Sequence, residues 1–279
     1  MKTIVTHMSV DLDAVTSAWL VRKYFPGWQD AQFAFVPIEQ TLNNLPPDAN
    51  PDVIHVDTGF GRFDHHHIKG YLSATKLVFD YCIANDYIPP KERKPLSRVV
   101  DYVNMIDNFG EVDFHQPSLD LYDFLPHQLI FGIKFILKQD DIKVIEQMML
   151  ILESALFMMR NKTNAEAAIE NGIVFTSKWG KTVAFESKNE EALKLALKSG
   201  FQLVVRKDPE RGFLKIKLFP NNETNLEVLW ERLKEADPMA HWGLHSSKNI
   251  ITNGSLLNPH AKPTTISFDR AIEIIKQIY

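Results

Sequence analysis

Near the start of the chain, His7, Asp11 and Asp13 stand in the spacing H-x3-D-x-D, within His7-Met8-Ser9-Val10-Asp11-Leu12-Asp13. Asp57 follows in Val53-Ile54-His55-Val56-Asp57-Thr58-Gly59, then the run Asp64-His65-His66-His67, then Asp107 in Ile106-Asp107-Asn108. Imidazoles combined with carboxylates form a donor set for a borderline divalent cation such as Mn²⁺, or less specifically Zn²⁺ and Fe²⁺. Each piece also has a plainer explanation. An Asp at a helix start caps it, for roughly 0.5–2 kcal/mol; this accounts for one of Asp11 and Asp13, but not for both, nor for His7. Alone, Asp57 reads as a turn former, His55 as a core histidine, and Asp107 as part of a helix stop with Asp101 as a competitor. Three adjacent histidines crowd potential positive charge, which a desolvated site disfavours. A metal resolves this, because neutral imidazole is a ligand. In extended backbone His65 and His67 point one way and Asp64 and His66 the other, so the run supplies one ligand, with neighbours that orient it or touch substrate. Together the oxygen and nitrogen donors suffice for two metals sharing a carboxylate. Such pairs, ~3.5–4 Å apart, clamp the attacking and leaving oxygens of a phosphoryl displacement.

The elements that must position these groups follow from the hydrophobic pattern. Strands are expected at 2–6, 32–37 and 53–56, a helix carrying Val15, Ala18, Trp19 and Val21 up to Pro26-Gly27, and helices at 73–84 and 96–105. Strands alternating with helices argue for an α/β layer with a mostly parallel sheet. His7, Asp11 and Asp57 then fall at the carboxyl ends of strands, where open α/β sheets bind ligands. Residues 111–130, with Pro117 and Pro126, read as irregular, an insertion or a lid. A long helix over 140–168 carries Ile145, Met148, Met149, Leu152, Leu156 and Met159 at core spacing and bridges two domains. A second α/β pattern follows, with strands at 173–176, 182–185, 202–206 and 213–218 and helices at 190–198, 226–235 and 268–278. The expected division is a catalytic domain over 1–139, a linker helix over 140–170 and a smaller α/β domain over 171–279.

The 279 residues, 45% hydrophobic and 24% charged, describe a globular chain rather than a disordered, collagen-like or disulfide-built one. A single cysteine, Cys82, excludes an internal disulfide and a thiolate cluster; it lies in an apolar helical segment and is not read as a nucleophile. No run approaches the ~20 apolar residues of a membrane span, and the first residues lack a leader pattern, so the expected location is cytoplasmic. The net charge is −4. Acidic side chains outnumber basic ones up to residue 159 and the reverse holds beyond it, which suits a cation site in the first half and an anion in the second. An acidic protein is not built for long-range duplex binding.

The order H-x3-D-x-D, D, D-H-H, D resembles the DHH phosphoesterase superfamily, named for the triplet that stands here as Asp64-His65-His66. Its members include RecJ-like exonucleases, oligoribonucleases, cyclic-dinucleotide phosphodiesterases and manganese pyrophosphatases. The resemblance implies a DHH-type catalytic domain holding two divalent cations, Mn²⁺ first, with Mg²⁺, Co²⁺, Fe²⁺ or Zn²⁺ as alternatives. It implies His7, Asp11 and Asp57 as ligands of one metal. Asp13, Asp57, His65 and Asp107 would hold the second, with Asp57 bridging. His66 resembles the histidine that contacts the phosphate, and Asp64 the carboxylate that orients the histidines. Ser9 stands where many members have Asn or Asp, and His67 has no role in the pattern. In the second half, His245, Ser246, Lys248, Asn253, Gly254 and Ser255 are similar to a phosphate-contacting, glycine-rich substrate loop. The layout is nearest to the melanocyte-proliferating-gene family of DHH-related 3′–5′ RNA exonucleases, whose Ile-Asp-Asn and Leu-His-x-Ser segments match Ile106-Asp107-Asn108 and Leu244 to Ser247; the paired glycine of that family is replaced by Asn253-Gly254-Ser255.

The expected function is hydrolysis of phosphodiester bonds in short single-stranded nucleic acid or nucleotides, with no membrane partner. A small-molecule phosphatase or pyrophosphatase, or a non-catalytic metal- or nucleotide-binding protein, are the alternatives. Degenerate binders usually lack a ligand, and here all six positions are filled. Trp242 and Trp179 would favour nucleic acid if they stack bases, and are core otherwise.

Overall fold

The structure, a computed structural model, describes residues 1–220, 224–254, 258 and 260–278. By internal contacts the chain divides into two units, Met1–Arg160 and Asn161–Tyr279.

The first unit opens on β1 (Thr3–His7), buried except at its start, followed by α1 (Leu12–Tyr24). Leu12 to Val21 of α1 are all buried, so this helix is enclosed on every side rather than amphipathic. β2 (Gln32–Val36) and β3 (Val53–His55) pair in parallel with the two edges of β1, giving the order β2-β1-β3. This is the parallel layer expected from the alternation of strands and helices. α2 (Ala74–Ala84) is capped by Ser73, whose hydroxyl accepts from Lys76 N. α3 (Pro90–Asp107) starts earlier than its periodicity suggests, because Pro90 sits in the first turn, where its missing N–H is no loss.

Residues 110–136 are more ordered than an irregular insertion. Two 3₁₀ turns, Gly110–Asp113 and Asp120–Phe124, lead into α4 (Pro126–Ile136). Pro126 starts this helix instead of ending an element. α5 (Asp141–Glu170) follows, and the division between the units falls within it. Val144, Ile145, Met148, Leu152 and Leu156 of α5 join Ile4, Trp19, Ile54, Phe63 and Val100 in the first core, so the methionine stripe is packing.

The second unit is a six-stranded mixed sheet, order β4-β5-β6-β7-β9-β8, from β4 (Ile173–Ser177), β5 (Gly180–Glu186), β6 (Leu203–Lys207), β7 (Leu214–Leu218), β8 (Trp242–Leu244) and β9 (Ile250–Asn253). Only β5 and β6 run parallel. The β8–β9 hairpin lies where the sequence resembled a glycine-rich substrate loop. α7 (Glu227–Ala236) and α8 (Phe268–Lys276) join the core of Leu203, Val205, Leu214, Ile216 and Ile251; α6 (Glu191–Lys198) joins that of Val183, Phe185 and Val204. No helix among the described residues is long and apolar enough to cross a membrane.

One turn of the first unit allows a direct check. Gly59 has φ of 77°, and a Cβ there would lie 2.8 Å from Thr41 Cγ2 and 3.2 Å from Gln40 O. Gly59→Ala is expected to destabilise the fold by about 1–3 kcal/mol, read as a lower urea midpoint at unchanged slope; an unchanged midpoint would contradict this packing.

Candidate metal centre

β1 ends at His7, and the chain crosses a tight turn, with Ser9 at φ of 56°, before α1 begins. Asp11 is the N-cap of α1: its Oδ1 accepts from Ala14 N at 2.9 Å. Capping therefore uses one oxygen, and Oδ2 lies 3.7 Å from His7 Nε2. His7 Nδ1 lies 2.9 Å from Met8 O; donating there leaves the Nε2 lone pair toward the carboxylates. In the first turn of the helix, Asp13 is buried and accepts from Ala74 N at 2.7 Å and Thr75 N at 2.8 Å. This carboxylate ties α1 to the start of α2.

Asp57 is 2% exposed and lies in a left-handed conformation, φ 54°, just beyond β3. Its two oxygens face different histidines. Oδ2 is 3.3 Å from His7 Nε2, and Oδ1 is 3.4 Å from His65 Nε2. His65 Nε2 is also 3.5 Å from Asp107 Oδ2 and 3.7 Å from Asp13 Oδ2. Asp64 is fully buried and organises the triplet: Oδ1 meets His66 Nδ1 at 2.6 Å and accepts from His66 N at 3.0 Å, while Oδ2 accepts from Phe60 N at 2.6 Å. His66 Nδ1 lies 3.8 Å from Asp57 Oδ1.

The structure thus brings together all eight first-half positions singled out by the sequence. Three sets present one donor atom each within 4.8 Å of one another: His7, Asp11 and Asp57; Asp13, His65 and Asp107; and Asp57, His65 and His66. Asp57 Oδ1 and Asp107 Oδ2 are buried without a hydrogen-bond partner among the described residues. Buried polar oxygens ordinarily have one, so these two, among hard carboxylate and borderline imidazole donors, fit divalent cations. His55 is a satisfied core histidine, its Nε2 accepting from Leu42 N at 3.1 Å.

The protonation equilibria report the same crowding. Burial, and then the Asp57 charge, raise Asp11 above the usual carboxylate range, and the same causes with Asp107 and Asp11 raise Asp13 well above it. Asp107 is pushed up to about 7 chiefly by burial, opposed by the His65 charge and assisted by those of Asp57 and Asp11. Burial opposes ionisation of Asp57 too, but the imidazoles of His65 and His7 beside it hold it down at about 2. His65 rises to about 9 through the adjacent Asp57 carboxylate; His7 rises to about 9 although burial opposes it, through Asp57 and Asp11.

Two residues that sequence reasoning missed secure the first loop. Asp141, at the start of α5, accepts from Ser9 N at 2.9 Å and Val10 N at 3.2 Å. Lys134 of α4, 7% exposed, donates to Ser9 O at 2.8 Å and Ser9 Oγ at 3.2 Å. The only local signal was a lysine in the otherwise apolar run Leu129 to Leu137.

In the second unit His245, Ser246 and Lys248 are exposed in the turn between β8 and β9. His245 Nδ1 meets Ser247 Oγ at 2.9 Å, and Lys248 Nζ meets Glu227 at 2.7 Å. Asn253 is fully buried, and its side chain bonds His241 O, Lys262 O and Thr264 N; its amide is occupied by backbone. Gly254, at φ 78°, passes so close to Phe213 that a Cβ would lie 2.4 Å from the ring. Ser255 lies outside the described residues. Trp179 and Trp242 belong to the core, their indoles donating to Asn225 O and Asp237 O.

No family model matches this sequence, and no curated protein matches it. Among solved structures, the chain is similar to RecJ from Thermus thermophilus in complex with Mg²⁺, at 13% identity and a TM-score of 0.35, over 99% of this chain and 49% of that one. It therefore spans about half the length of that RecJ. It is also similar to an exonuclease RecJ bound to manganese, at 11% identity and a TM-score of 0.32, over 99% and 89%; and to an exopolyphosphatase-related protein from Bacteroides fragilis, at 14% and 0.26, over 99% and 90%. These likenesses are distant, and the side-chain cluster of this chain carries the functional reading.

Two measurements follow from the geometry. His7 and His65 bind protons more tightly folded than unfolded, so their stabilisation is complete below pH ~6.5 and lost as pH rises through about 9. Asp107, raised to about 7, adds a penalty that grows between pH ~4 and 7. The melting temperature of metal-free protein is expected to fall from pH 6.5 to 9, and Mn²⁺ to raise it more at pH 8.5 than at pH 6, because protons compete for the same atoms. A pH-independent manganese effect would contradict the site. Lys134→Met is expected to weaken manganese binding about 10-fold or more by calorimetry; unchanged affinity would remove Lys134 from the loop's support.

Proposed function

We propose that this chain is a two-metal phosphoesterase of the DHH type, hydrolysing phosphodiester bonds in short single-stranded nucleic acids or nucleotides. The observation that carries the reading is Asp57, a buried carboxylate with one oxygen toward His7 and the other toward His65. His7, Asp11 and Asp57 hold one divalent cation; Asp13, Asp57, His65 and Asp107 hold the other. Bound cations supply positive charge opposite the phosphoryl oxygens and activate water for attack, and the oxygen-rich donor set favours Mn²⁺.

The remaining groups bind and orient. With Nδ1–H donated to Asp64, His66 presents Nε2 as the atom that contacts a phosphoryl oxygen. Asp64 holds that tautomer and the turn at Phe60 together. Asp13 is fixed by the N–H groups at the start of α2, which hold its Oδ2 3.7 Å from His65 Nε2. In the second unit, His245, Ser246, Lys248 and the backbone around Gly254 are the groups we assign to the substrate's phosphates, with Ser255 of the same segment. Asn253 shapes this turn through its bonds to backbone.

The test is Mn²⁺-dependent hydrolysis of a short end-labelled RNA. Wild type is expected to release nucleotides stepwise, and Asp57→Ala to lose activity by at least about 10³-fold, the scale of a lost charge-stabilising group. If wild type binds two metals yet leaves RNA, DNA and dinucleotides intact, the phosphodiesterase reading fails and pyrophosphate becomes the substrate to assay.

A further inference from the structure

Two bulky aromatic residues occupy backbone conformations that ordinarily go to glycine. Phe60 has φ of 55° and Phe109 φ of 58°, the left-handed region in which a bulky L-residue is strained. Neither ring recovers that strain by burial: Phe60 is 45% exposed and Phe109 75%. Glycine is present in both turns and used where packing demands it. Gly59 meets Thr41 and Gln40 as described, and a Cβ on Gly110 would lie 2.4 Å from Met105 Cγ. The position between Gly59 and Gly61, and the one just after the C-cap of α3 where glycine is the usual residue, carry phenylalanine instead. Folding stability does not account for that choice.

Both residues lie in the chain segments that carry the carboxylate cluster. The Asp64 carboxylate that fixes His66 Nδ1 at 2.6 Å also fixes Phe60 N at 2.6 Å. The Phe60 ring meets the ring of His67 edge to face, centroids 5.8 Å apart at 89°, which gives the third histidine of the run a role. Phe109 follows Asp107 by two residues, and Asp107 Oδ2 is 3.5 Å from His65 Nε2. A bare phosphate anhydride offers an exposed aromatic ring nothing to contact. A nucleobase does, because every base has a π-face that stacks on aromatic side chains.

We propose that Phe60, backed by His67, and Phe109 are specificity-determining residues that stack on the nucleobases flanking the scissile phosphate and so select nucleotide phosphodiesters over base-free phosphates. This rests on the phosphodiesterase reading and adds the residues that choose the substrate.

The test compares manganese-loaded wild type with Phe60→Gly, Phe109→Gly and Phe60→Trp. Calorimetry measures binding of a diadenosine dinucleotide with a hydrolysis-resistant linkage, and of its abasic counterpart. Wild type is expected to prefer the base-bearing ligand by at least about tenfold, and each glycine variant to lose most of that preference. Phe60→Trp is expected to keep it. The glycine variants relieve backbone strain, so their melting temperatures are expected to rise by about 2–4 °C, which separates loss of stacking from loss of fold. Preference retained in both glycine variants, or absent in wild type, overturns the proposal. A ring-dependent preference in a protein that hydrolyses no phosphodiester keeps Phe60 and Phe109 as base-stacking residues and removes the phosphodiesterase reading, and with it their part in selecting phosphodiesters. Hydrolysis of dinucleotides with unaltered base preference in the variants removes the proposal alone.

Discussion

Four carboxylates, from Asp11, Asp13, Asp57 and Asp107, are gathered around two imidazoles, and the rest of the first unit depends on making that crowding tolerable. Like charges this close in a poorly solvated place repel, and burial penalises each one separately. The opposing shifts record the conflict: Asp57 is held ionised between His7 and His65, while Asp11, Asp13 and Asp107 are pushed toward protonation. Protonated histidines offset part of the charge in the metal-free protein. Divalent cations would offset more of it, at the oxygens of Asp57 and Asp107 that lack hydrogen-bond partners among the described residues.

The fold meets this constraint with backbone. Parallel pairing of β1 with β2 and β3 sets His7 at the end of one strand and Asp57 just beyond the end of its neighbour. Asp13 receives two N–H groups from the start of α2, so its position follows from the packing of two helices. Asp64 joins the turn at Phe60 to His66, and Asp141 with Lys134 grips the loop between His7 and Asp11. The loop before α1 and the start of α2 are thus each tied by polar groups distant in sequence, which helps a cluster of repelling side chains keep one geometry.

Much of this was legible in the sequence. The H-x3-D-x-D spacing, Asp57 after an apolar strand and the Asp64-His65-His66 triplet pointed to one site, because motif order and strand ends are local properties. The clamp was not legible: Asp141 lies 132 residues from Ser9 along the chain, and nothing local in either residue announces the contact. α4 was obscured by reading Pro126 as a breaker when it starts a helix. β8 and β9 are short strands with polar residues among the apolar ones, so composition suggested loop. Asn253 read as a substrate contact because an amide beside glycine suits an anion; its burial and its three backbone bonds emerge only from tertiary pairing.

The central claim is that Asp57 joins two cation sites, and metal stoichiometry with paramagnetic resonance tests it most directly. Metal-free protein titrated with Mn²⁺ is predicted to take two ions per chain, with the exchange-coupled spectrum of neighbouring ions, and to lose the coupling in Asp57→Ala. One uncoupled ion per chain, or coupling that survives removal of Asp57, would contradict the account.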